Sequence, residues 1–315
     1  MRILVTGGAG YIGSHMTQLL LERGHEAVVI DDLSGGHRDA VLPGATFVEA
    51  SIADAKAVAG AVAGCDAVVH FAGRIQVGES VTAPRKYFRD NLVASLALLD
   101  AVLDAGVRTF VFSSTAAVYG DPESTPIVET HPTRPVNPYG ETKLAFERAL
   151  ASYGRAYGLG WAALRYFNAA GTHGGLRERH DPETHLIPLA IAAAKGSGPP
   201  LRLFGTDWPT PDGTCIRDYV HVRDLALAHL AVIERMRSGG GGENVGSVNL
   251  GTGRGASVRE VIAAVEAAVG QEVPVIDSPR RAGDPAVLVA SADRAKSLLG
   301  WSAQASLYDI VRSAV

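Results

Sequence analysis

Residues 1–13 read MRILVTGGAGYIG. Ile3, Leu4 and Val5 form a short apolar run, the mark of a strand buried on both faces. Gly7, Gly10 and Gly13 follow at once, and Gly8, Gly10 and Gly13 also satisfy a Gly-x-Gly-x-x-Gly spacing. From Tyr11 to Glu22 the spacing becomes helical, with Ile12, Met16, Leu19 and Leu20 able to share one face. Strand, glycine turn and helix in this order build a phosphate cradle. The glycines allow close backbone approach, and the free amides of the helix N-terminus carry partial positive charge.

A second apolar run, Ala27 to Ile30, ends at Asp31 and Asp32. Asp31 falls close to the separation of roughly 20 residues at which an acidic side chain meets an adenosine ribose. A carboxylate there favours NAD, because it repels the 2′-phosphate of NADP. Further strands are expected at Thr46–Glu49, Ala67–His70, Thr109–Ser113 and Trp161–Tyr166. Helices are expected from Asp54, from about Pro84 to Ala105, and from Tyr139. Such alternation predicts an α/β fold, a doubly wound parallel sheet with ligands at the carboxyl ends of its strands. Beyond Asn168 the pattern turns irregular, and the polar stretches 171–184 and 198–214 read as binding loops. The SGGGG run at 238–242 reads as a flexible surface loop.

The 315 residues suit a nucleotide-binding domain with a smaller one appended, and 47% hydrophobic residues supply a substantial core. A formal charge of −4 gives no general attraction for nucleic acid or membrane surfaces. Cys65 and Cys215 lie far apart without metal-ligand spacing, so free thiols, no metal and a reducing cytoplasm are expected. The first strand leaves no room for a cationic leader ahead of it, and no apolar run approaches a membrane span.

Asn137 and Pro138 read as an N-cap and a first-turn proline ahead of Tyr139-Gly140-Glu141-Thr142-Lys143. Four residues apart on a helix, Tyr139 and Lys143 share a face. A fixed ammonium favours the phenolate, and lowering the phenol pKa by about three units needs roughly 4 kcal/mol. Tyr139 is thus a candidate acid/base, with its pKa expected to fall.

These segments, with HFAG at 70–73, VGES at 77–80, FSSTAAVYG at 112–120, RYFN at 165–168, GTCIRDYVHV at 213–222, NLG at 249–251 and RRAGD at 280–284, resemble the extended short-chain dehydrogenase/reductase family. The resemblance covers essentially the whole chain, and the RYFN and arginine-bearing segments are closest to its nucleotide-sugar 4-epimerases. It implies a Rossmann-type NAD domain at 1–167, with about 216–252 returning to it, and a smaller α/β substrate-binding domain at 168–315. The implied reaction interconverts UDP-galactose and UDP-glucose through transient oxidation at sugar carbon 4. A homodimer through the 84–105 and 138–157 helices is also implied.

The resemblance further assigns Thr115, Tyr139 and Lys143 to catalysis. It places Gly7, Gly10, Tyr11, Ile12, Gly13, Asp31, Asp32, Ser51, Ile52, Phe71, Ala72, Gly73, Asn91, Ser113 and Tyr166 by the cofactor, together with Tyr139 and Lys143. Asn168, His185, Leu186, Phe204, Arg217, Arg281, Asp284 and Leu288, with Thr115, would meet the UDP-sugar. Arg217 and Arg281 are the implied diphosphate clamps and Leu288 the gate for the sugar 2-substituent. Ser51, Ile75 and His185 depart from the aspartate, lysine and asparagine of many relatives, and the last helix stops at Val315 where relatives often continue. A 4,6-dehydratase needs an acid/base pair beside the threonine, where Ala116 and Ala117 carry no transferable proton. Other UDP-sugar 4-epimerases, acting on N-acetylhexosamine or glucuronate, and a non-catalytic NAD-binding sensor are the alternatives. His70 and His221 read as structural.

Overall fold

The computed structural model describes residues 1–239, 242–281 and 284–315. The first half runs β1 (Arg2–Thr6), α1 (Tyr11–Glu22), β2 (Glu26–Asp31), β3 (Thr46–Glu49), α2 (Ala55–Val62), β4 (Ala67–His70), α3 (Val77–Thr82), α4 (Pro84–Tyr87), α5 (Ala94–Asp104), β5 (Thr109–Thr115), α6 (Pro138–Tyr157) and β6 (Gly160–Tyr166). The second half continues with β7 (Asn168–Ala170), α7 (Leu186–Ala194), β8 (Leu201–Phe204), β9 (Ile216–Arg217), β10 (Tyr219–His221), α8 (Val222–Ser238) and β11 (Gly246–Leu250). It ends with β12 (Ala256–Ser257), α9 (Val258–Val269), β13 (Val275–Ser278), β14 (Val287–Leu288), α10 (Asp293–Leu299) and α11 (Leu307–Ala314).

Alternating side chains explain the layers, because successive strand residues point to opposite faces. On β1, Ile3 and Val5 pack with Met16, Leu19 and Leu20 of α1 and with Ile233 and Met236 of α8. Leu4 faces the other way, toward Val58, Leu98, Phe110 and Phe146. Burying each such side chain contributes about 1.5–3 kcal/mol. Between the two layers lies a parallel sheet of order β11-β6-β5-β4-β1-β2-β3. The strand order reverses at β1, where a crevice opens beyond the strand ends. The expected α/β fold is therefore present, and β11 joins β6 from far along the chain.

The expected helix over 84–105 is interrupted. Between α4 and α5, residues Phe88–Val93 form a π-helical turn. That wider turn holds the Asn91 side chain inward, where its amide accepts from Arg74 N–H at 2.6 Å and donates to the Arg74 carbonyl at 2.9 Å. Single π-turns of this kind recur at functional sites.

Beyond β6 a second core forms where α7, α9 and α11 meet, with Ile187, Ile191, Val261, Val265 and Ile310 buried. Short strand pairs hang from it: β8 with β13, and β9 between β12 and β14. The SGGGG and RRAGD stretches are described except for residues 240–241 and 282–283, which lie outside the described residues. No helix among the described residues is long and apolar enough to cross a membrane.

Candidate active site

Helix α6 begins as its sequence dictates, with the Asn137 side chain accepting the Gly140 N–H at 2.9 Å and Pro138 in the first turn. That start points Tyr139 and Lys143 at the carboxyl end of β5. Thr115 closes β5 in register with Tyr166 of β6. Its hydroxyl accepts the Ala117 N–H at 3.1 Å and lies near enough to the Tyr139 phenol to act on its pKa. The Tyr166 and Ser113 hydroxyls bond each other directly.

Lys143 donates to the Ser113 carbonyl at 3.0 Å, with its ammonium 4.8 Å from the Phe112 ring centre and 5.9 Å from the Tyr139 ring centre. Burial lowers its pKa to about 8, against the opposing charge of Glu147. Burial also raises the Tyr139 phenol above its ordinary value, and the Thr115 hydroxyl opposes the rise only in part. The expected depression of the tyrosine is therefore corrected for the chain by itself. The ammonium is spent on a carbonyl and a ring face, and desolvation of the phenol outweighs it.

One turn further along α6, Glu147 makes a connection that sequence reading missed. Its carboxylate accepts from the Arg165 guanidinium (Nε–Oε1, 3.0 Å), from Ser247 at 3.1 Å and from Ser114. Arg165 also donates to Tyr119, whose hydroxyl reaches Asn249 at 2.7 Å. The signal was present in the sequence: Tyr139, Lys143 and Glu147 recur at intervals of four on one helical face.

The glycine turn is packed too tightly for side chains. A Cβ on Gly13 would stand 2.2 Å from the Gly7 carbonyl oxygen, and one on Gly7, at φ +69°, 2.6 Å from the Ala72 nitrogen. The 71–73 turn thus lies directly on the loop, with Phe71 packed on His229 and Gly73 beside Asn91. Gly10 leaves the N-terminus of α1 without a side-chain cap, and no acid stands in its first turn. The amides around Tyr11, Ile12 and Gly13 are therefore free to bind an anion. Asp31 takes the Ala9 N–H on one oxygen (3.0 Å) and the Leu33 N–H on the other (2.8 Å), so each oxygen keeps a lone pair for a ribose hydroxyl. Burial raises its pKa, opposed by these two bonds. Asp32 accepts the Ser34 N–H, Ser51 accepts the Ala53 N–H, and Ile52 is buried in the core. This donor set fits NAD.

Toward the second core, β9 and β14 set Arg217 in register with Leu288, and Asp284 lies 3.9 Å from the Arg217 guanidinium. Arg281 stacks 4.0 Å over the Phe204 ring centre. The Cys215 thiol sits among Arg217, Arg281 and Asp284, its pKa raised by burial. Leu288 and Phe167 pack on Tyr119 and Leu144. Asn168 opens β7, bonded through its N–H to the Asp218 carbonyl, while Leu186 opens α7 against the second core. His185 precedes it and pairs with Glu178 and Glu183 rather than with the arginine group. Burial works to lower its pKa, but the two carboxylates push it up to about 10. His70, bonded to Thr6 and Ser95 and pushed down to about 3 by burial, is a neutral structural group. His221 caps α8.

A family model described as the NAD dependent epimerase/dehydratase family matches residues 3–251. The chain belongs to this family. Among its relatives, the UDP-glucose 4-epimerase of Azospirillum brasilense is 51% identical over 319 residues, covering 100% of this chain and 91% of that protein. A crystal structure of the Brucella ovis UDP-glucose 4-epimerase in complex with NAD aligns with a TM-score of 0.95 at 47% identity, covering 99% of this chain and 97% of that one. A Stenotrophomonas maltophila UDP-glucose 4-epimerase, with bound NAD and formylated UDP-arabinopyranose, aligns at 0.96 and 42% identity, over 100% and 96%. The span matched by the NAD dependent epimerase/dehydratase family takes in both the glycine cradle and α6.

Proposed function

We propose that this chain is a UDP-glucose 4-epimerase, interconverting UDP-galactose and UDP-glucose. The observation that carries the reading is the convergence of Thr115, Tyr139 and Lys143 at the end of β5, beside a cradle fitted to NAD. NAD, when bound, supplies the hydride acceptor and donor and a positively charged ring. Tyr139 takes the proton of the sugar 4-hydroxyl, with Thr115 positioning that oxygen, and later returns it to the carbonyl oxygen of the 4-keto sugar, which has by then turned its opposite face to the cofactor site. Lys143 holds the Ser113 carbonyl and keeps a positive charge near the phenol. Arg217 and Arg281 grip the diphosphate as planar, permanently charged donors, and Asp284 holds a ribose hydroxyl. Asn168, His185, Leu186, Phe204 and Leu288 complete the substrate side, and Leu288, of intermediate size, sets the room for a 2-substituent.

The chain is read as an NAD domain at 1–167, rejoined by 216–252, and a substrate domain at 168–315. Exposed Phe88, Val93 and Tyr157 support a homodimer through the helices that carry them. Two free cysteines agree with a cytoplasmic setting. In the deciding assay the protein is incubated with UDP-galactose and UDP-glucose is followed without any redox partner. Product should form with no net change in absorbance of the reduced nicotinamide. Stoichiometric consumption of added NAD would refute the epimerase, and parallel runs with the N-acetylated sugars define its breadth.

A further inference from the structure

The segment between β7 and α7 gathers two histidines and two glutamates, of which only His185 has a substrate-side role above. Glu178, His180, Glu183 and His185 each offer one ligand atom, and these four atoms lie within 4.8 Å of one another. His185 Nδ1 stands 2.9 Å from Glu178 Oε1 and 2.7 Å from Glu183 Oε1. His180 Nδ1 approaches the same Glu178 oxygen at 3.1 Å. The Glu178 side chain is only 8% exposed. Among the described residues, the ion-pair partners of these two carboxylates are these two histidines alone, since Arg179 is turned away to Asp39. A metal ion would take the place of the protons that now bridge the imidazoles and the carboxylates.

Two imidazole nitrogens and two carboxylate oxygens make the donor set of a tetrahedral first-row divalent metal, zinc above all. Bonds of about 2.0–2.2 Å place neighbouring donors roughly 3.3 Å apart, so the pairs now at 2.7–3.1 Å have to open by about half an ångström and any pair toward the 4.8 Å limit has to close. The carboxylate of Glu183 is already oriented by the N–H groups of Thr184 and His185, at 2.7 and 2.8 Å, as outer-shell bonds orient metal ligands elsewhere.

We propose that Glu178, His180, Glu183 and His185 bind one divalent transition-metal ion, zinc by preference, as a structural clasp. The clasp ties the loop to the residue that caps α7 and presses it on the cofactor turn. Tyr11 of that turn donates to the Gly171 carbonyl and meets the His180 ring edge-on at 6.2 Å, while His37 bonds the Arg179 carbonyl at 2.9 Å. This revises the expectation of no metal, which rested on the cysteines. It does not depend on which sugar is the substrate.

The test uses the untagged full-length protein, stripped with a chelator, dialysed and titrated with zinc and separately with cobalt. Zinc should remain at about one equivalent per chain after gel filtration. It should also raise the melting temperature, and cobalt should give the intense visible bands of a tetrahedral site. Glu178→Gln and His180→Ala should each weaken zinc binding by about tenfold or more while the bound NAD is retained. Less than roughly 0.1 equivalent on the wild-type protein, or undiminished binding in both variants, overturns the proposal. Should a variant fail to fold, the cobalt spectrum of the wild-type protein decides alone: a spectrum without tetrahedral bands overturns it.

Discussion

Two ionisable pairs meet one face of α6, one of them completed by Arg165 of β6, and are built to opposite ends. Glu147 and Arg165 are buried with nearly every donor and acceptor met: Ser114, Ser247 and Tyr119 complete the pair, and the arginine pKa is driven up, the glutamate outweighing its burial. Tyr139 and Lys143, two turns and one turn away, are not paired with each other. The phenol is pushed up by burial and the ammonium down, to about 8, and neither meets the other directly. A satisfied buried pair is structural, whereas an unsatisfied one stands ready for a ligand that brings the missing charge.

The comparison breaks most sharply at Tyr139. Tyr139→Phe should lower kcat by roughly 10³-fold, about 4 kcal/mol, since acid/base catalysis contributes that much. Its urea midpoint and bound NAD should stay as in the wild type. A variant that keeps its turnover would show that another group moves the proton.

Glu147→Gln does the reverse, leaving a buried guanidinium underpaired. Urea denaturation should show a loss of roughly 3–5 kcal/mol. A stability near wild type would mean that water, not Glu147, satisfies Arg165.

Lys143→Met separates the two arrangements by pH. The folded chain releases the lysine proton near pH 8, whereas the unfolded chain holds it to about 10.5. Between these values the unfolded state binds more protons, so stability rises with pH. The cofactor-free wild type should therefore gain on the order of 3 kcal/mol relative to Lys143→Met across that window. Parallel stability curves would place Lys143 in a well-solvated site.

The smallest effect is expected at Ser114→Ala, which removes one of several bonds to the Glu147 carboxylate. A loss of about 1.5 kcal/mol in thermal or urea unfolding, with kcat little changed, fits a network in which the arginine carries most of the charge.

Much of this was legible beforehand. Apolar runs such as Val28–Ile30 and Val68–Val69 announce strands, because a parallel sheet buried on both faces tolerates little else. The caps of α6, Asn137 and Gly158, likewise mark its ends through local hydrogen bonds and the left-handed conformation at glycine. The break at 88–93 was not legible, since its cause is Asn91 reaching the distant Arg74 backbone. The Glu178–His185 cluster escaped too. Its members share a non-helical loop, and no period in the sequence says which side chains of a loop converge.

By itself, then, the sequence determined the α/β sheet and the dinucleotide cradle and set Tyr139 and Lys143 on one face, because each depends on short-range spacing: glycines within one turn, and tyrosine and lysine within one helical turn. Tertiary structure alone decided what those groups feel. Burial turns the pKa of Tyr139 up instead of down in the chain without its cofactor, while the Ser113 carbonyl and the Phe112 ring hold the Lys143 ammonium. Desolvation depends on everything packed around a group, and that is fixed only when residues far apart in the chain come together.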